Sequence, residues 1–114
     1  MPRDYRLYLD DILESIDTIF QHIGPMNFEE FSADRKTVDA VVRNMEIIGE
    51  AARHLPDEIR KLAPEIEWKK IVSLRNILAH EYFNITKEII WDIVHSKIPS
   101  LKDACSRLMA DGTL

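Results

Sequence analysis

Apolar residues return at three- and four-residue steps along most of this chain, and they do so in blocks. From Tyr5 the series Tyr8, Leu9, Ile12, Leu13, Ile16, Ile19, Phe20 and Ile23 marks one face of a helix, which Gly24 and Pro25 stop. In the connector that follows, Asn27 and Glu30 stand at capping-box spacing. A second stripe runs Val38, Val41, Val42, Met45, Ile48, Ala52, Leu55 and ends at Pro56. PDEIRKLA reads as a short helical turn bounded by Pro64. Trp68, Ile71, Val72 and Leu78 predict a shorter helix from Glu67 to His80, and Thr86, Lys87 and Glu88 predict the cap and first turn of the next. The last series, Ile90, Val94, Ile98, Leu101, Cys105 and Leu108, keeps its phase across Pro99 and predicts one kinked helix. Strand-type alternation, repeats and low-complexity tracts do not occur in the sequence. The expectation is an all-α fold: an antiparallel bundle of four or five helices, one domain over residues 1–114.

Composition narrows the function classes. With 46% hydrophobic residues, 31% charged and three glycines, the chain has the make-up of an ordered globular protein. Its 114 residues lie near the low end of what buries a sizeable core, so a partner or a second copy is expected. No apolar run approaches the roughly 18 residues of a membrane helix, and MPRDYRLYLDDIL lacks a signal-peptide core, so a cytoplasmic protein is expected. The single Cys105 has no partner for a disulfide or a thiolate metal site. A net charge of −5 argues against broad adhesion to nucleic acid, which leaves only a local site for that chemistry.

One stretch departs from the pattern. In SLRNILAHEYF, Ser73 to Phe83, the residues Arg75, Asn76, His80 and Tyr82 crowd around an apolar run at a helix end. At about 100° per residue, Asn76 and His80 share one helix face, Arg75 and Tyr82 share another, and Arg75 and His80 stand about 140° apart. One straight helix does not bring all four together. Fraying near His80, a folded-back Arg75 side chain, or two copies meeting across a two-fold axis would each ease the mismatch. A histidine can deprotonate a hydroxyl near neutral pH, while a guanidinium grips a phosphate in bidentate fashion as charge builds. That pair suits metal-free RNA cleavage, in which the ribose 2′-OH attacks its own phosphate and leaves a 2′,3′-cyclic phosphate. Asn76 would orient His80 or donate to a phosphate oxygen. The bland alternative is a solvated Arg75, a helix-capping His80 and a half-buried Tyr82.

Arg75, four residues, His80, one residue and Tyr82 match the motif of the HEPN superfamily, and the chain resembles its HepT-like toxin ribonucleases. Asn76 matches the polar residue that follows the arginine there. RNMEIIGEAARHL, IEWKKIVSLRN and IIWDIVHSKIPSL are similar to the family's segments before, leading into and after the motif, so the likeness covers nearly the whole chain. The resemblance implies a homodimeric helical bundle with Arg75 and His80 of both protomers catalytic in an interfacial cleft, Asn76 auxiliary, and no metal or other cofactor. It also implies the toxin of a type VII-like toxin–antitoxin pair. Its partner would be an MntA-like nucleotidyltransferase antitoxin that attaches AMP to Tyr82 and blocks the scissile phosphate's place.

Other candidates favour ordinary roles. His22 and His54 sit near helix ends as caps or surface residues, and His95 has no ligand set near it in sequence. Glu46 and Glu50 form an i,i+4 carboxylate pair, but the Glu-x-x-His motifs of a di-metal bundle are missing. Glu50 is expected to accept bonds from a neighbouring helix or from Arg75. Trp68 and Trp91 are expected in the core. Two further functions compete with the ribonuclease: a catalytically weak HEPN module that binds a nucleotidyltransferase or nucleotide, and a purely structural helical interaction protein.

Overall fold

The computed structural model describes residues 3–80 and 86–111, with Ala79, His80 and Asp111 entering by backbone alone. Among the described residues the chain is all helix and turn: α1 (Tyr5–Ile23), α2 (Phe28–Ala33), α3 (Arg35–Arg53), α4 (Asp57–Arg60), α5 (Trp68–His80), α6 (Lys87–Ser96) and α7 (Ile98–Asp111). Five of these are long and two are short turns of helix, which agrees with the all-α reading. Local side chains start most of them. The carboxylate of Asp4 accepts from the Arg6 amide, that of Asp34 from the Thr37 amide at 3.1 Å, and the Thr86 hydroxyl from the Ile89 amide at 3.3 Å. The capping box of α2 is complete: the Glu30 amide donates to Asn27 Oδ1 at 2.8 Å, and the Asn27 amide donates to Glu30 Oε1 at 3.0 Å. Gly24, at φ 50°, closes α1 with its N–H on the Phe20 carbonyl at 2.8 Å.

The apolar stripes become the core. Helix α1 lies between α3 and α7, α3 also packs on α5, and α2 rests on α3 and α6. Leu9, Ile12, Ile16 and Ile19 of α1 are buried against Val41, Met45, Ile48 and Ala52 of α3, with Ile98, Leu101, Cys105 and Leu108 supplied by α7. Each fully buried Leu or Ile contributes about 1.5–3 kcal/mol, so these stripes dominate the packing energy. Trp68 is buried, as expected, and its indole N–H is shared between the carbonyls of Arg60 and Ala63, both at 3.1 Å. That bond ties the α4 turn to the start of α5. Trp91 is half-buried among Phe28, Phe31 and His95. Burial pushes the Cys105 thiol up to about 12.

The last stripe keeps its phase but not its helix. A kink at Pro99 was expected; instead α6 ends at Ser96 and α7 begins at Ile98. A continuous helix would set the proline ring against the His95 carbonyl and deprive it of a donor. The chain turns at Lys97, whose N–H bonds the Ile93 carbonyl at 2.9 Å and whose carbonyl receives the Leu101 N–H at 3.2 Å. Pro99 then falls in the first turn of α7, where a missing N–H costs nothing.

The closest approach of two helices sets the position of the motif. A Cβ placed on Gly49 of α3 would stand 2.9 Å from the Arg75 backbone nitrogen and 3.0 Å from both Arg75 Cβ and the Ile71 carbonyl oxygen. Only glycine lets α3 and α5 touch there. Gly49→Ala gains about 1 kcal/mol of helix propensity but forces backbone apart at an overpacking cost of about 1–3 kcal/mol. The expected outcome in a thermal melt is a net loss near 1 kcal/mol, a Tm about 5 °C lower. An unchanged or raised Tm would show that α5 moves aside freely.

Candidate functional site

Helix α5 carries Arg75, Asn76 and His80. It remains helical through His80, so positions 75 and 80 stand about 140° apart around its axis, and no fraying at His80 brings them together. The His80 side chain and all of Tyr82 lie outside the described residues. The expected Asn76–His80 pairing falls there too. Asn76 instead meets its neighbour: Arg75 Nη1 donates to Asn76 Oδ1 at 3.0 Å.

Arg75 faces α3. Its Nε lies 3.5 Å from Glu50 Oε2, which bears out the expectation that Glu50 answers Arg75. The same carboxylate is held on its own helix by two further groups. Arg53 Nη2 donates to Glu50 Oε1 at 2.8 Å, and His54 Nε2 lies 3.2 Å from that oxygen. Hydrogen bonding from Arg53, then from His54, and the charges of Arg53 and Arg75 hold the Glu50 carboxyl below the usual carboxylate range despite some desolvation. Glu50 in turn raises the Arg53 guanidinium above its ordinary value. Glu50 is therefore the anionic centre of a cationic cluster.

Glu50, His54 and Arg75 line a cleft of about 480 Å³ between α1, α3 and α5. Tyr8 of α1 stacks on the His54 ring with centroids 5.0 Å apart and planes 15° from parallel, and Arg3 sits over the Tyr8 ring at 4.8 Å from its centroid. His54 is the C-cap residue of α3, as expected of a helix-end histidine, and it also forms one wall of the cleft. Arg43 pairs with Glu46 at 3.6 Å and Arg3 with Asp11 at 2.7 Å, so both members of the Glu46/Glu50 pair are met by cations. Sequence reasoning named Glu50 but missed Arg53, Tyr8 and Gly49. The i,i+3 spacing of Glu50 to Arg53 and the i,i+4 spacing of Glu50 to His54 were visible signals; the Tyr8 stack, between distant segments, had none.

On its other side α5 borders an apolar groove of about 600 Å³ facing α6 and α7, floored by Ile66, Ile71, Leu74, Ile93 and Leu101 and edged by half-exposed Ile77. The motif helix thus separates a charged cleft from an apolar groove.

A family model described as ribonuclease HepT-like matches residues 12–108. The chain belongs to this HepT-like family. The chain covers most of the length of several relatives. A candidate RNase of Methanocaldococcus jannaschii is 46% identical over 101 residues, 88% of this chain and 84% of the relative. A candidate ribonuclease HepT of Thermococcus cleftensis is 40% identical over 108 residues, covering 95% and 98%. A candidate RNase of Caldanaerobacter subterraneus subsp. tengcongensis is 36% identical over 104 residues, covering 91% and 93%. No solved structure matches the chain. Among the described residues no helix is long and apolar enough to cross a membrane.

Proposed function

We propose that this HepT-like protein is a metal-independent endoribonuclease, and that Arg75 and His80 carry the reaction. The observation that carries the reading is Arg75 itself: a half-exposed guanidinium, steadied by Glu50, at the edge of a cleft on the helix that also bears His80. His80 takes the proton of a ribose 2′-OH as that oxygen attacks the adjacent phosphorus; the P–O5′ bond breaks, and the departing 5′-oxygen takes a proton from water. Arg75 stabilises the charge on the phosphate oxygens, and Asn76 holds the guanidinium from the side. DNA, without the nucleophile, is no substrate. The RNase names of the relatives support the same chemistry.

The complete site is read as one shared by two copies. Positions 75 and 80 diverge around α5, so Arg75 of one protomer works with His80 of the other or across a common cleft. The apolar groove beside α5 offers surface for that contact, and its burial favours association. Tyr82, two residues past His80, is read as the acceptor of AMP from an MntA-like nucleotidyltransferase, which makes the protein the toxin of a type VII-like pair. The added phosphodiester and adenosine would fill the place of the scissile phosphate.

His80→Ala is expected to abolish cleavage of single-stranded RNA, and Arg75→Ala to lower the single-turnover rate about 100-fold, some 2.7 kcal/mol of transition-state stabilisation. EDTA leaves the rate unchanged, and mass spectrometry of the products finds 2′,3′-cyclic phosphate ends; EDTA sensitivity or products without such ends would sink the mechanism. Multi-angle light scattering at tens of micromolar is expected to give twice the 13.3 kDa chain mass, and a monomer would remove the shared site. Tyr82→Phe should cleave within about tenfold of wild type. With an MntA-like enzyme, ATP and magnesium, wild type gains AMP mass and falls silent while Tyr82→Phe does neither; a modified Tyr82→Phe chain would move the acceptor elsewhere.

A further inference from the structure

We infer that Glu50 is a positioning residue for Arg75, fixing the direction in which the guanidinium presents its fork to the scissile phosphate. The inference rests on the ribonuclease reading above and adds a residue on a different helix to its machinery. Two observations meet at one turn of α3. Gly49 holds the Arg75 backbone against α3, and Glu50, the next residue, meets the Arg75 side chain at Nε. Root and tip of the arginine are thus referred to the same piece of backbone.

The carboxylate is itself held. Arg53 reaches it from both sides, Nη2 to Oε1 at 2.8 Å and Nε to Oε2 at 3.4 Å, while His54 Nε2 lies 3.2 Å from Oε1. Oε2 is the oxygen that lies near Arg75. Among the described residues, Glu50 Oε2 lies 3.5 Å from Nε of Arg75, Asn76 Oδ1 accepts from Nη1, and Nη2 has no partner, which leaves it to meet a phosphate oxygen.

Stability does not account for the arrangement. The side chains are 47% and 40% exposed, and an ion pair so placed adds little to folding. Orientation is a different matter. A long, rotamer-rich side chain that must meet developing charge within a narrow range of angles gains most from being set beforehand. Glu50 touches neither nucleophile nor leaving group in this scheme; it acts through Arg75.

The test is Glu50→Gln, which keeps the shape and removes the charge. Single-turnover cleavage of a short single-stranded RNA is expected to slow about tenfold, with Tm unchanged and with affinity for the same RNA carrying a 2′-deoxy sugar at the scissile position no weaker than wild type. In an Arg75→Lys background, where a point charge replaces the planar fork, Glu50→Gln should slow cleavage less than about twofold. An equal loss in both backgrounds, a loss that appears as weaker RNA binding or a lower Tm, or no loss at all would overturn the inference. Wild type that does not cleave RNA, or cleavage indifferent to Arg75→Ala, would instead overturn the ribonuclease reading and this inference with it.

Discussion

The contact between α3 and α5 at Gly49 governs where everything chemical in this protein stands. A methyl group there would meet backbone on the opposite helix, and backbone cannot swing away as a side-chain tip can. The two helices therefore share one register, and that register decides which α3 residues can reach Arg75. Glu50 is within reach; Glu46, one turn earlier, pairs with Arg43 instead. The packing of α1 along α3 brings Tyr8 and Arg3 to the rim of the same cleft.

The charge distribution resolves an apparent conflict between an acidic chain and a polyanionic substrate. The net charge is −5, yet around the cleft each carboxylate of Asp11, Glu46 and Glu50 has a cation against it. Such a surface casts little field beyond the Debye length of about 8 Å at physiological salt, so RNA is not drawn in from afar. On the reading proposed above, RNA is held where the Arg75 guanidinium meets a phosphate directly.

Most of the fold could be read from residue spacing because its core is made of helix faces. The α1, α3 and α7 stripes are buried nearly as the periodicity implies, and the Asn27–Glu30 box closes at the spacing that suggested it. Local sequence carries such features because their partners lie within one or two turns. The break at Lys97 was less legible: hydrophobic phase survives it, so only the steric demand of Pro99 distinguishes a kink from an ending. Within the site, the Arg75–Glu50 pair was foreseen as a possibility, while Gly49 was not singled out. Its smallness has meaning only once a second helix arrives, and that is tertiary information. The same holds for Tyr8 on His54, two rings whose segments have no local reason to meet.

Cys105 gives the molecule a practical property. The lone thiol is sealed inside α7 with its ionisation displaced far above neutrality, so almost none of it is thiolate in ordinary buffers. Maleimides, disulfide exchange and peroxide all act through the thiolate and need access to it. The native chain therefore serves as a silent background for spectroscopy. A cysteine placed on an exposed helix position would take a spin label or fluorophore selectively, and the distance between two such probes could follow the helices without removing any native residue.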